Sequence, residues 1–236
     1  MALQYAPYPH AARQVCPYDA MTLLTRQNLG DGSFRRGLAL PPHLGWSDAQ
    51  VAQSFAQAWA ARPPGPVWVF GYGSLMWNPL LAFEERRVAT LGGWHRSFCL
   101  RSIAGRGSPE HPGRVLSLEP GGEVRGVALR LPPSQAESEL RLLWTREMTS
   151  GAYRPLWCTV ELPGGRQLQA ATFVADPCHP QHEPDASPAT VARLTAVARG
   201  AFGPNVDYVR ALARALQQEG LRDPYVDEIL QALPPE

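Results

Sequence analysis

Two Pro-Gly-Gly tripeptides, Pro120-Gly121-Gly122 and Pro163-Gly164-Gly165, each stand between segments rich in valine, leucine and threonine. Proline fixes φ near −65° and glycine supplies positive φ, so such a tripeptide reverses the chain tightly and sets its flanks antiparallel. Strands are therefore expected at about 88 to 100, 114 to 119, 123 to 131, 155 to 162 and 167 to 174, preceded by the fully apolar run Val67-Trp68-Val69-Phe70. Between the fourth and fifth of these six strands a helix is expected at roughly 135 to 148, with Ser134 as its cap, Glu137 as capping-box partner and Gly151 as its stop. The C-terminal third reads as helices, opened by Ser187-Pro188, by Asn205 and by Pro224, the first two ending near Gly200 and Gly220. Strands first and helices afterwards predict an α+β fold.

Upstream, Ser47 and Gln50 form a capping box, and Val51, Phe55 and Trp59 recur on one helical face until Arg62-Pro63-Pro64-Gly65-Pro66 ends it. Residues 1 to 45 hold prolines, glycines and aromatics without a sustained period, which predicts an extended arm wrapping the domain. The expected division is thus an arm and helix over 1–65, packed on a domain over 66–236.

Composition removes several function classes. The net charge is +1 and the arginines form no stripe, so nucleic acid is not an expected partner. All 22 basic residues are arginine, which excludes chemistry that needs a P-loop lysine, a pyridoxal Schiff base or a kinase strand lysine. There is no signal-like N-terminal run and no 18-residue apolar stretch, so a cytoplasmic protein without membrane contact is expected. Cys16, Cys99, Cys158 and Cys178 lie far apart and are expected to be free thiols.

Leu140, Leu143, Trp144 and Glu147 fall at i, i+3, i+4 and i+7, which places a carboxylate on the core-facing stripe of its helix. A buried acid is costly unless paired or protonated, so Glu147 either pairs with an arginine such as Arg154 or Arg146 or performs proton chemistry. Desolvation and the negative helix end both raise its pKa toward that of a useful base. The strand at 67–70 runs into Gly71-Tyr72-Gly73-Ser74-Leu75, a loop whose glycines let backbone N–H groups approach an anion. Met76 stands where a dinucleotide fingerprint needs its third glycine, and Tyr72 and Met76 flank Ser74 where a hydrolase elbow needs glycines. Asp176, Cys178, His179, His182 and Glu183 crowd one proline-rich loop, but no second cluster completes a coordination sphere, and no metal is expected. Tyr208 shares a helix face with Leu212 and Leu216 and reads as a core residue.

The ordered motifs VFGYGSLMWNP at 69–79, GWHRSFCLR at 93–101, PGRVLSL at 112–118, LLWTREMTSGAYRP at 142–155 and GPNVDYV at 203–209 resemble the ChaC family of γ-glutamylcyclotransferases. The resemblance runs from about residue 20 to near the C-terminus. It implies a small, mostly antiparallel β-barrel with flanking helices, and cofactor-free cyclisation of the γ-glutamyl end of glutathione. By that resemblance Glu147 is the catalytic base, Tyr72, Gly73, Ser74 and Leu75 hold the γ-glutamyl group with Val69, Phe70 and Gly71 beside them, and Tyr153 and Tyr208 are further contacts. Tyr153 is the sixth residue after the motif's acid, a spacing that resembles bacterial members of the family. Arg101, Arg106 and Arg114 are available for the glycine carboxylate of glutathione. Two alternatives stay open: other γ-glutamyl peptides or amines as substrates, and a ligand-binding regulatory protein without turnover.

Overall fold

The computed structural model describes residues 24–38 and 40–234. Strands β1 (Trp68–Gly71), β2 (Glu85–Ser102), β3 (Gly113–Arg130), β4 (Tyr153–Glu161) and β5 (Gln167–Ala175) close into a barrel in the order β1-β3-β2-β4-β5. Every pairing is antiparallel except β1 with β5, so the expected α+β, mostly antiparallel barrel is the architecture found. Strand β1 explains its own composition. Trp68 and Phe70 face the core cluster shared with the C-terminal helices, Val69 faces the opposite cluster under the N-terminal helices, and all four strand residues are buried.

The tripeptide Pro163-Gly164-Gly165 is the expected reversal between β4 and β5, closed by Leu162 N–H donating to Arg166 O at 2.8 Å. The one at 120–122 is not a turn. There β3 continues unbroken along β2, from Arg130 opposite Glu85 to Gly113 opposite Ser102. Gly121 and Gly122 oppose the single residue Gly93, and the positive φ of all three absorbs the extra residue as a bulge. The expected strands at 114–119 and 123–131 are thus one strand bent in the middle, and the true reversal of this hairpin is the loop 103–112. A second bulge sets Phe98 and Cys99 of β2 opposite Leu116 alone. It lies immediately before Leu100 and Val115, which border the cavity described below.

Among the described residues, five helices of nine or more residues flank the barrel: α3 (Asp48–Ala60), α4 (Ala136–Glu147), α5 (Pro188–Val197), α6 (Asn205–Gln218) and α7 (Pro224–Ala232). The Ser47–Gln50 capping box is formed at α3. At α4 the expected cap is not used. Pro132-Pro133 lead into a turn closed by Gln135 N–H on Pro132 O, which makes Gln135 the N-terminal boundary, and Glu137 pairs with Arg141 one turn on. The two-residue strands β6 (Arg199–Gly200) and β7 (Gly203–Pro204) pair between α5 and α6.

Residues 24–38 and 40–45 are not simply extended. They carry two five-residue helices, α1 (Arg26–Gly30), capped by Thr25, and α2 (Ser33–Gly37), separated at Asp31 and Gly32. Helices this short give no visible hydrophobic period. They are held by packing of Leu29, Phe34 and Leu38 against Leu80, Leu142 and Phe202. The remainder of the expected arm lies outside the described residues, as does Cys16. Cys99, Cys158 and Cys178 are free thiols. Among the described residues no helix is long and apolar enough to cross a membrane.

Candidate active site

A cavity of about 400 Å³ opens between the end of α4, the turn after β1, the loop 103–112 and the segment carrying α1 and α2. Glu147 lies on its wall as the last residue of α4. Leu140, Leu143 and Trp144 on the same helix face are buried in the core, which carries the carboxylate inward with them. Its side chain is 16% exposed, and that exposure opens into the cavity, since the residue lines it. Burial pushes its pKa up, while the Arg146 guanidinium 3.0 Å away pulls it back in part.

Arg146 ties this helix end to the turn after β1. It donates to Asn78 O at 2.6 Å, to Pro79 O at 3.3 Å and to Ser74 Oγ at 2.5 Å. The carboxylate and Ser74 are thus joined through one buried guanidinium. Of the alternatives open for Glu147, the ion pair is with Arg146 and not Arg154. A pair does not empty the other reading, because the carboxylate still faces the cavity.

The loop itself is built for close approach. A Cβ on Gly71 would meet Leu75 Cβ at 2.8 Å, and one on Gly73 would meet Tyr208 Oη at 3.2 Å and Leu116 Cδ2 at 3.3 Å. Ser74 opens a 3₁₀ turn to Met76, in which Met76 N–H donates to Gly73 O and Asn78 N–H to Ser74 O. Ser74 lines the cavity; Val69, Phe70, Gly71, Tyr72 and Leu75 are buried beneath it, and Gly73 lies against Tyr208. Tyr72 fixes the loop from both ends: its hydroxyl donates to Phe173 O at 2.7 Å, and its carbonyl accepts from Arg96 Nε at 2.8 Å.

Tyr153 and Tyr208 line the same cavity. The Tyr153 hydroxyl donates to Leu116 O at 2.9 Å, and the Tyr208 ring meets Trp77 and Phe98 edge-on. Burial and then the nearby Glu147 charge push Tyr208 up to about 12, and burial first, with neighbouring acidic groups, pushes Tyr72 and Tyr153 well above the ordinary phenol value. All three remain neutral hydroxyls at physiological pH. Glu147 is the one carboxylate among these four groups, and burial pushes its pKa upward from the ordinary carboxylate value.

Arg101 and Arg106 line the cavity, whereas Arg114 does not and lies 3.3 Å from Glu183. The sequence named Arg146 only as a possible ion-pair partner of Glu147, not as part of the cavity wall, and it did not single out Trp77, Asn78 or the wall from α1 and α2. The acidic and histidine-bearing loop at 176–183 does not converge on one point. His179 contacts Ser150 O, Asp176 accepts from Cys178 N–H, and His182 lies 2.9 Å from Glu119. Among the described residues, Cys99, Glu119 and His182 form a trio whose ligand atoms lie within 4.8 Å of one another. Burial holds that thiol protonated, at about 12.

Comparison with known proteins shows the family of the chain. A family model described as ChaC-like protein matches residues 67–235. The glutathione-specific γ-glutamylcyclotransferase of Escherichia coli K12 is 48% identical over 88% of this chain and 91% of its own length. The human glutathione-specific γ-glutamylcyclotransferase 1 is 32% identical over 72% of this chain and 79% of its own. A crystal structure of a yeast γ-glutamyl cyclotransferase specific to glutathione shares the fold at a TM-score of 0.65 and 22% identity, covering 71% of this chain and 97% of that one. With the family model spanning the whole barrel and the C-terminal helices, this chain belongs to the ChaC-like family of γ-glutamylcyclotransferases.

Proposed function

We propose that the protein cyclises the γ-glutamyl group of glutathione, releasing 5-oxoproline and cysteinylglycine, with Glu147 as the proton-transfer base. The observation that carries this is the Glu147 carboxylate, desolvated and raised in pKa, facing a tripeptide-sized cavity while bridged through Arg146 to Ser74. The names of the E. coli and human relatives point to the same substrate. In the reaction the substrate α-amine gives a proton to Glu147 and its lone pair attacks the γ-carbonyl carbon. The bond to the cysteinyl nitrogen breaks as the proton passes from Glu147 to that departing nitrogen, and the second proton, shed by the ring nitrogen as the lactam forms, leaves on the released amine as its ammonium. Nucleophile and electrophile belong to one molecule, so every bond change is internal and the pocket mainly supplies attack geometry, where effective molarities reach about 10⁵ M or more. The loop from Tyr72 to Leu75, with Tyr153 and Tyr208, holds the glutamyl end against the base. Ser74 Oγ and nearby backbone N–H groups are the donors for its carboxylate or for the developing oxyanion.

Product analysis tests this reading. Purified protein incubated with glutathione is expected to release 5-oxoproline and cysteinylglycine in equal amounts. Free glutamate would mean hydrolysis instead, and binding without product would leave a regulatory ligand-binding protein. Release of 5-oxoproline from γ-glutamyl-alanine at the same efficiency would widen the substrate class beyond glutathione.

The pKa directions give a second check. Since the base must be ionised, kcat/KM should rise with pH on an acidic limb placed above the ordinary carboxylate value of about 4.3. The Arg146 charge lowers the pKa of Glu147, so Arg146→Gln is expected to move that limb to higher pH as well as lower the plateau. A limb that stays in place would remove Glu147 as the titrating group.

A further inference from the structure

One apolar wall of the cavity comes from a part of the chain that lies before the segment matched by the family model. Leu24, Phe34, Leu38 and Leu40 line it, with Phe202 stacked on Phe34 at 6.1 Å and 6° between ring planes. Phe202 is itself fixed. Its N–H donates to Gly105 O at 2.8 Å, and its ring lies so close to Gly105 that a Cβ there would meet it at 2.8 Å.

This wall is anchored to the catalytic helix at two points. Arg26 reaches Glu139 of α4, a carboxylate only 1% exposed, at 2.6 Å to one of its oxygens, and the same oxygen accepts from Ala82 N–H at 2.8 Å. Arg35 donates to Met148 O at 3.1 Å, the residue directly after Glu147, and also to Trp46 O. A loosely draped arm would not bring two arginines onto the two ends of one helix. The segment is a built part of the site.

We propose that this apolar wall reads the leaving group, receiving the side chain of the residue whose amine departs, so that the enzyme prefers γ-glutamyl peptides with a small apolar or thiol side chain at that position. This rests on the cyclotransferase reading above and deepens it. The orientation follows from chemistry. The ammonium and carboxylate of the glutamyl end must lie with Glu147, Ser74 and Arg146 for the amine to reach its base. The terminal carboxylate of a tripeptide suits Arg101 and Arg106, not aliphatic carbons. What remains of glutathione without charge is the thiomethyl side chain, and a thiol packs as a small hydrophobe.

The test compares glutathione with γ-glutamyl-glycyl-glycine, which differs only in lacking that side chain. The full-length wild-type protein is expected to favour glutathione in kcat/KM by about tenfold or more, the discrimination an apolar pocket gives for a small group. Leu38→Ala and Leu40→Ala should each lower that ratio several-fold, and Leu38→Val serves where the alanine variant does not fold. A parallel fall for both substrates would make the wall merely structural and overturn the inference, as would a wild-type enzyme that does not distinguish the two. If wild type releases no 5-oxoproline from either peptide, the cyclotransferase reading fails first and takes this inference with it.

Discussion

Replacing Glu147 by glutamine should reduce 5-oxoproline release from glutathione by about 10²- to 10⁴-fold, the range general-base catalysis supplies. The substitution keeps the shape and leaves an amide oxygen toward Arg146, so the loss isolates the proton-transfer step. A carboxylate at about 4.3 accepts a proton from an amine near 8 uphill by roughly 5 kcal/mol, and each unit by which burial raises it removes about 1.4 kcal/mol of that climb. The same burial makes the ionised residue a liability to the fold. With the native pKa above the unfolded value, Glu147 favours folding when protonated at low pH, and that contribution is lost as pH rises through the native pKa. Glu147→Gln is therefore expected to be at least as stable as wild type at neutral pH while nearly inactive. Turnover within a factor of ten of wild type would remove Glu147 from the reaction. Parallel losses of stability and activity would point to a structural part in place of a chemical one.

That the acid could be found in the sequence follows from the regularity of α4. Four residues at helical spacing put it on a buried stripe, and a helix leaves little freedom about where such a residue points. The long hairpin was less legible. Pro120-Gly121-Gly122 has the chemistry of a turn, and only its cross-strand partner Gly93 makes it a bulge. A local sequence window cannot see a partner strand, so the bent strand read as two. The cavity wall from α1 and α2 was hidden for a related reason. Leu29, Phe34 and Leu38 acquire meaning from contact with Phe202, far along the chain, and helices of five residues carry no period to announce them. Ser74 stood out through its glycine neighbours, but Arg146 as the tie between Ser74 and Glu147 is a product of tertiary packing alone.

Arg96 offers the largest expected loss of stability. The residue is 3% exposed and binds three elements at once: Nε donates to Tyr72 O at 2.8 Å, Nη1 meets Asp223 Oδ2 at 2.7 Å, and Nη2 donates to Arg125 O at 2.5 Å. Burial alone would favour losing the charge, and the Asp223 carboxylate opposes this. Asp223 in turn caps α7 through Tyr225 and Val226 N–H. Breaking a buried pair from one side typically costs 3–5 kcal/mol because the partner is left uncompensated. Asp223 retains some access to water, so Arg96→Met should sit near the lower end, at about 3 kcal/mol, read by urea unfolding. Asp223→Asn keeps the helix cap and removes the charge, so combining it with Arg96→Met should cost less than the two single losses added. Strict additivity, or a loss below about 1 kcal/mol, would show that the pair does not hold α7 to the barrel. Since Arg96 also grips the Tyr72 carbonyl, the folded fraction of Arg96→Met should turn over glutathione more slowly than wild type. The loop that carries Ser74 would then have lost the anchor behind it, while Glu147 and its cavity remain in place.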